Sequence, residues 1–227
     1  SKITFSIMTS KTFAIITDIH SNISALDNAL EIIREKSNID QIICLGDCFS
    51  LGPEPEKTLK KLKELDDCIF IRGNHDRNFL GAISDEALME KFTKKYGSSY
   101  LRSKEQLTTS QITWLKNLPT KLTTKLNDVT LTLAHGSIHD EDKYIYPNES
   151  TDTLIDQLSN SDVTVLGHTH HPFIWCNNNR YLINPGSVGQ PRDQSALASI
   201  FILDTSKHSI FLSTGTKKKC RFFILCF

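Results

Sequence analysis

The stretch Phe13-Ala14-Ile15-Ile16-Thr17-Asp18-Ile19-His20 places a run of apolar residues directly before a carboxylate and an imidazole. A short continuous apolar run of this kind is typical of a strand that is buried on both faces of a sheet. Asp18 and His20 are separated by one residue, so their side chains can point to the same side of an extended chain. The stretch therefore predicts a buried strand with a chelating pair at its carboxyl end.

The same arrangement recurs at four further places in the chain. Apolar runs that read as strands cover residues 41–45, 68–72, 130–134 and 163–166. The polar groups that follow them are Gly46-Asp47, Gly73-Asn74-His75-Asp76, His135-Gly136 and Gly167-His168-Thr169-His170. Open α/β folds build their sites at the carboxyl ends of strands. We therefore expect five strand ends to converge on one site.

The pattern between these runs predicts the connections. Asn22 or Ser21 can cap a first helix, and residues 54–65 form a second, so the first third of the chain has the βαβ pattern of a parallel sheet. From Lys121 onward, turn residues at 127–128 and 177–179, together with the run pair 196–204 and 209–214, indicate hairpins. Helical patterns over residues 85–96 and 109–117 indicate either a lid or helices that cover the sheet.

The length of the chain fits one larger α/β domain as well as two small ones. We expect a single domain over residues 12–214, with terminal extensions at 1–11 and 215–227. The chain has 227 residues, and its 26 basic residues balance its 26 acidic ones, so its net charge does not suggest a nucleic acid or an anionic membrane as partner. Its six cysteines form no C-x-x-C pair and are interpreted as reduced thiols of a cytoplasmic protein. No segment is long enough to span a bilayer. The basic and apolar residues 217–227 are expected to form a last strand or a loose terminus, with a membrane anchor or a partner-binding tail as alternatives.

The predicted ligands combine carboxylate, amide and imidazole groups and include no thiolate. Such a donor set suits Mn, Fe, Zn, Ni or Co. The carboxylate of Asp47 has two oxygens and can bridge two cations. Because two carboxylates would leave a two-metal site strongly electropositive, a phosphate group is the natural neutralising ligand.

The motif series D-x-H, G-D, G-N-H-D, H and G-H-x-H, in this order, resembles the calcineurin-like metallophosphoesterase superfamily. The resemblance covers roughly residues 12–212. It implies an α/β fold in which two facing mixed β-sheets form a sandwich flanked by helices. Residues 46–55, 72–76 and 184–192 resemble the small prokaryotic phosphodiesterases of the diadenosine-tetraphosphatase-like branch.

The resemblance also implies roles for individual residues. One divalent metal ion, with Mn favoured, would be held by Asp18, His20, Asp47 and His170. A second would be held by Asp47, Asn74, His135 and His168.

Two further residues of the third motif have implied roles. His75 would donate a proton to the leaving oxygen, and Asp76 would orient the His75 ring.

Arg192 and Asn74 are the candidate contacts to the substrate, although a salt bridge to a nearby acid is an alternative for Arg192.

The activity implied by this resemblance is hydrolysis of a phosphodiester, phosphoanhydride or phosphomonoester by metal-bound hydroxide, with a small nucleotide or a dinucleoside polyphosphate as the favoured substrate. A Ser/Thr protein phosphatase is one alternative, but that group carries Asp-Arg-Gly where Leu51-Gly52-Pro53 stands here. A non-catalytic binding module on the same fold, such as the retromer subunit, is another. A nuclease is a third, which the balanced charge disfavours. The sequence makes no prediction of oligomeric state.

Overall fold

A computed structural model describes residues 12–36, 39–193, 197–205, 209–216 and 219–226 of the protein. The helices are α1 (Ile23–Glu35), α2 (Pro55–Lys63), α3 (Asn74–Ala82), α4 (Glu86–Tyr96), α5 (Ser99–Gln106), α6 (Thr109–Lys116) and α7 (Thr151–Asp156). The strands are β1 (Thr12–Ile16), β2 (Gln41–Cys44), β3 (Ile69–Phe70), β4 (Lys121–Leu126), β5 (Val129–Ala134), β6 (Val163–Val165), β7 (Phe173–Asn177), β8 (Arg180–Asn184), β9 (Ser199–Asp204), β10 (Ser209–Thr216) and β11 (Lys219–Cys226).

The strands form two mixed sheets. The first has the order β11-β10-β9-β1-β2-β3 and the second the order β4-β5-β6-β8-β7. In the first sheet β1, β2 and β3 pair in parallel, as the βαβ pattern predicts. The predicted hairpins β4–β5, β7–β8 and β9–β10 are antiparallel, whereas β6 pairs in parallel with both β5 and β8. The prediction of two facing mixed sheets flanked by helices is confirmed.

Strand β1 shows how the apolar pattern produces this layering. Phe13 and Ile15 face the second sheet, where they join a core that includes Leu131 and Val165. Ala14 and Ile16 point the other way, into the core beneath the helices. Because alternate side chains of a strand lie on opposite faces, a strand between two apolar layers must be apolar at every position.

The helices that cover the first sheet come from the first half of the chain. Asn22 accepts a hydrogen bond from the Ala25 N–H and caps α1, and Phe79, Phe92 and Tyr100 bring α3, α4 and α5 into the same core. The helical patterns between Asp76 and Pro119 therefore belong to helices that cover the sheet, which is one of the two predicted alternatives. Helices α3, α5 and α7 were not predicted, because each is short and rich in polar residues.

Residues 219–226, in the basic and apolar tail, form strand β11, which pairs antiparallel with β10. The expectation of a last strand is confirmed for these residues. Within the described part of the chain, no helix is long and apolar enough to cross a membrane.

Candidate metal centre

The seven predicted ligands lie together where the two sheets meet. Five of them have a positive φ, namely Asp18 (53°), His20 (49°), Asp47 (50°), His168 (67°) and His170 (59°). Left-handed backbone is uncommon for residues other than glycine, and such residues cluster at functional sites. The chain thus reverses sharply after β1, β2 and β6, and these reversals aim the side chains at one place.

A first group of donors consists of Asp18, His20 and His170. The Nε2 atom of His170 lies 3.0 Å from Oδ1 of Asp18 and 3.1 Å from Nε2 of His20. All three side chains are buried, and their donor atoms lie within 4.8 Å of one another. This spacing suits three ligands of one cation.

A second group consists of Asp47, His135 and His168, whose donor atoms also lie within 4.8 Å of one another. The Nε2 atom of His135 lies 3.2 Å from Oδ2 of Asp47 and 3.0 Å from Oδ1 of Asn74. Asp47 Oδ2 is also 3.9 Å from Nε2 of His20 in the first group. The Asp47 carboxylate therefore lies between the two groups.

The hydrogen bonds of the Asp18 and Asp47 carboxylates show whether these residues fit metal ions. Asp18 Oδ2 accepts hydrogen bonds from the Thr17 hydroxyl at 2.9 Å and the His168 backbone N–H at 3.1 Å, and Asp47 Oδ1 accepts one from the His75 N–H at 2.8 Å. The other oxygens, Asp18 Oδ1 and Asp47 Oδ2, are buried and accept no hydrogen bond within the described residues. A buried carboxylate oxygen without a donor is costly. Since both oxygens face imidazole nitrogens, the residues fit divalent cations.

The charges of the site follow from burial and from these contacts. Burial favours the neutral form of Asp18, but the imidazoles of His170 and His135 outweigh it and hold the pKa of Asp18 well below its usual range. Burial likewise favours neutral His135, but the carboxylates of Asp47 and Asp18 raise its pKa to about 10. In the metal-free protein these groups therefore compensate one another as ion pairs.

Groups outside the donor set hold the ligand rings in place. His135 Nδ1 lies 2.7 Å from the Leu45 carbonyl, and His170 Nδ1 lies 2.5 Å from the Gln190 carbonyl. Such contacts fix the orientation of a ligating imidazole. The Gln190 contact also gives a role to the predicted turn of residues 184–192, which runs directly behind the site.

Tyr144 supports His168 in a way that the sequence did not indicate. Its ring stacks on the His168 imidazole with a centroid distance of 3.9 Å and an interplanar angle of 22°. The neighbouring Asp142 carbonyl lies 3.1 Å from His168 Nε2. Arg77, on α3, holds the loop that carries Asp142 and Tyr144. Its guanidinium donates two hydrogen bonds to the Asp142 carboxylate, at 2.7 and 2.9 Å. Tyr144 lies outside the motifs, so no local signal marks it.

Glycine is required where the loop after β2 meets the start of α3. A Cβ atom on Gly73 would lie 2.2 Å from Oδ1 of Asp47, and one on Gly46 would lie 2.2 Å from the Gly73 backbone nitrogen. Gly46 also has a φ of 92°. The absence of side chains at these two positions lets the loop that carries Asp47 approach the first turn of α3.

His75 and Asp76 lie in that first turn, but their contacts differ from the prediction. The Asp76 carboxylate accepts hydrogen bonds from the backbone N–H groups of Asp47 (2.8 Å), Cys48 (3.2 Å) and Gly73 (3.0 Å). It therefore holds the Asp47 loop, and the expectation that it orients His75 is wrong. The physical reason is that an acid in the third position of a helix turns back to the N–H groups at the helix start.

The His75 imidazole instead has Nδ1 2.8 Å from the hydroxyl oxygen of Tyr100 on α5. The Tyr96 ring packs against it edge to face at a centroid distance of 4.8 Å. Burial lowers the pKa of His75 to about 4, with the charge of Asp47 opposing this shift. Tyr100 is a site residue that sequence reasoning missed.

Arg192 is exposed at the edge of the centre. Its backbone N–H donates to the His170 carbonyl at 3.3 Å, and its guanidinium donates to the Gln190 side chain at 3.3 Å. The side chain is thus anchored beside a ligand while it remains accessible to solvent. Its contact with substrate stays a prediction.

Comparison with known proteins places this geometry in a family. The model of the calcineurin-like phosphoesterase superfamily domain matches residues 12–208. An uncharacterized protein of Methanocaldococcus jannaschii is 30% identical over 220 residues, which cover 89% of this chain and 86% of that protein. A probable metallophosphoesterase of the same archaeon is 27% identical over 180 residues, which cover 78% of this chain and 68% of the relative.

A solved structure agrees with these matches. The crystal structure of a metallophosphoesterase from Sphaerobacter thermophilus superposes with a TM-score of 0.74 at 26% identity, covering 93% of this chain and 89% of that one. Fold, motif order and family model coincide over the residues that supply the donor groups. The chain therefore belongs to the calcineurin-like phosphoesterase superfamily and is a metal-dependent phosphoesterase.

Proposed function

We propose that the protein hydrolyses a phosphodiester or phosphoanhydride bond of a small nucleotide or dinucleoside polyphosphate at a centre of two divalent cations. The observation that carries this proposal is the pair of buried carboxylate oxygens, Asp18 Oδ1 and Asp47 Oδ2, that face imidazole nitrogens without a hydrogen bond. In the metal-free protein these oxygens face only imidazoles, with His170 Nε2 3.0 Å from Asp18 Oδ1 and His135 Nε2 3.2 Å from Asp47 Oδ2. Bound cations would take the place of the imidazole protons in these pairs.

The donor geometry supports a specific division of ligands. Asp18, His20, Asp47 and His170 would hold one cation, and Asp47, Asn74, His135 and His168 would hold the other. When bound, a pair of divalent cations supplies an activated water and positive charge for the phosphoryl oxygens. Mn is favoured, because oxygen and imidazole donors without thiolate suit it.

His75 would supply the proton that the leaving oxygen needs. Its ring lies edge to face with His20 at a centroid distance of 5.2 Å, so it borders the donor groups. It is 7% exposed and is therefore largely shielded from bulk water. Arg192 would contact a phosphate from the open edge, since a guanidinium matches phosphate oxygens with two parallel hydrogen bonds.

Two rival functions have less support. A protein phosphatase would need a clamping arginine near residue 51, where this chain has Leu51. A non-catalytic binding module on the same fold would be free to lose its ligands, whereas all seven donor positions and His75 are filled here and brought together. We also propose a cytoplasmic location, since Cys44 and Cys48 are free thiols with sulfur atoms 3.7 Å apart and would suit a reducing compartment.

The deciding experiment combines metal analysis with a substrate panel. The protein is loaded with Mn²⁺, its metal content is measured by mass spectrometry, and turnover is followed on a nitrophenyl phosphodiester, a dinucleoside polyphosphate, a linear dinucleotide and a phosphopeptide. Bound metal with turnover of the nucleotide substrates would support the proposal. Turnover of the phosphopeptide alone would favour a protein phosphatase, and absence of both metal and turnover would favour a binding module.

A further inference from the structure

We propose that Arg77 is a positioning residue whose ion pair with Asp142 sets the affinity of one of the two cation sites. This inference rests on the two-cation centre of the proposed function and adds a role for a side chain outside the seven donors. The site that it concerns, which we call the second cation site, is formed by Asp47, Asn74, His135 and His168.

The second cation site depends on the loop of residues 136–146, which begins directly after the donor His135. The Tyr144 ring of this loop stacks on the imidazole of the donor His168 at a centroid distance of 3.9 Å. The Asp142 carbonyl lies 3.1 Å from His168 Nε2. Contacts of this kind fix the orientation of a ligating imidazole. The position of the loop therefore decides how the His168 ring is presented.

The two ends of the 136–146 loop are anchored, but its middle lies at the surface. At its start, the Ser137 N–H donates to the Asp140 carbonyl at 2.9 Å, and the Asp140 N–H donates to the Ser137 hydroxyl at 2.8 Å. Near its end, Ile145 is buried in an apolar cluster. Between these anchors, the Asp142 side chain is 57% exposed and Tyr144 is 42% exposed. The segment that contacts His168 thus needs a further attachment.

Arg77 supplies that attachment from helix α3. Its guanidinium donates two hydrogen bonds to the Asp142 carboxylate, at 2.7 and 2.9 Å, and a third to the Glu141 carboxylate at 3.3 Å. An ion pair at the surface contributes little to stability unless it is bidentate or part of a network. This one is both, because a single guanidinium binds the two acidic side chains of the segment.

The helix that carries Arg77 also carries a donor of the same site. Asn74 lies three residues before Arg77, so the two side chains are one turn apart on α3. Helix α3 therefore provides one donor of the second cation site directly. Through Arg77 and Asp142 it also holds the loop that orients His168 on another side of that site.

The other donor group relies on different contacts. His170 Nδ1 lies 2.5 Å from the Gln190 carbonyl, and Asp18 Oδ2 accepts a hydrogen bond from the Thr17 hydroxyl at 2.9 Å. Neither contact involves the 136–146 loop. Loss of the Arg77 ion pair should therefore weaken the second cation site and spare the first.

The test is a titration of the metal-free protein with Mn²⁺, in which free Mn²⁺ is followed by its electron paramagnetic resonance signal. We expect two binding steps in the wild type. Arg77→Met should weaken one step ~10-fold, the low end of the range for changing a group that orients a ligand. The other step should change by less than about threefold, since it shares no contact with the loop.

Further variants identify the step and its cause. His168→Ala removes a donor of the second cation site and should weaken the same step. Asp142→Asn should reproduce the loss seen in Arg77→Met, because it removes the charge and keeps the shape of the side chain. The double variant of Arg77 and Asp142 should bind no more weakly than either single variant, since both break one ion pair.

Lys61→Met is the matched control. Lys61 on α2 pairs with Asp27 on α1 at 3.0 Å, and the two side chains are 33% and 53% exposed, close to the 35% and 57% of Arg77 and Asp142. Like the Arg77 pair, this one links two elements at the surface, but it joins helices outside the centre. Lys61→Met should leave both binding steps at their wild-type affinity.

The outcomes separate this inference from the proposed function. Two unchanged steps in Arg77→Met, or equal weakening of both, would overturn the positioning role. Selective weakening in a protein without phosphoesterase turnover would uphold that role and refute the proposed activity. A wild type that binds a single cation would overturn both.

Discussion

The Nε2 atom of His135 and the Oδ2 atom of Asp47 lie 3.2 Å apart, although the strands that precede them, β5 and β2, belong to different sheets. The centre is therefore assembled by the packing of one sheet on the other. Neither sheet alone holds a complete set of donors.

Asp47→Asn should lower the metal content of the protein and reduce turnover. The substitution removes the charge of the carboxylate that lies between the two donor groups. The loss should exceed the ~10–100-fold effect of changing an outer contact. Metal analysis after loading and dialysis checks this, with Asp128→Asn on an exposed turn as control. An unchanged metal content would show that Asp47 is not a ligand.

His75→Asn should keep both metals and slow turnover of alkyl phosphodiesters by ~10²–10⁴, the range for loss of a general acid. The penalty should be smaller on a nitrophenyl ester. The exposed His139, which pairs with Asp156 at 3.2 Å, offers a control substitution to Asn with little effect. Equal losses on activated and alkyl esters would remove the proton-donor role.

Asp76→Ala should destabilise the protein and weaken metal binding. Its carboxylate accepts three backbone N–H groups, and leaving buried donors unpaired costs about 1–3 kcal/mol each. Urea unfolding measures this loss, with the exposed Asp66→Ala as control. Metal affinity should fall ~10–100-fold because the Asp47 loop loses its anchor. Wild-type stability in Asp76→Ala would contradict the anchoring role.

The metal-free protein should lose stability as the pH rises through the alkaline range. The pKa of His135 is raised to about 10 in the folded protein from about 6.5 in the unfolded chain. Its stabilisation is therefore fully present below pH 6.5 and lost as the pH rises through 10. Bound metal requires a neutral imidazole, so metal loading should abolish this dependence.

Urea unfolding at several pH values, with chelator and with metal, tests that dependence. His135→Gln is the reference, because it lacks the titrating group. In chelator, the stability advantage of the wild type over His135→Gln should decline between pH 6.5 and 10. A constant difference would show that His135 does not bind its proton more tightly in the folded state.

The ligand set could be predicted from the sequence because each ligand follows its own apolar run, and strand ends are local features of the chain. Tyr100 could not be predicted, because its contact with His75 depends on how helix α5 packs against helix α3. Nothing in the sequence around either residue indicates that contact. The error over Asp76 has a different origin. Asp76 and His75 are adjacent at the start of a helix, so their side chains point in different directions. The Asp76 carboxylate turns toward the backbone N–H groups at the helix start, which have no partner within the helix.

The left-handed backbone at Asp18, His20, Asp47, His168 and His170 has a consequence for protein engineering. Such conformations cost on the order of 1 kcal/mol or more each, and glycine adopts them without strain. Glycine at these positions would relieve that strain, but it would also remove the ion pairs that Asp18 and Asp47 make with buried imidazoles, so the exchange would not by itself make the chain more heat-resistant. A thermostability screen should therefore leave these five residues untouched.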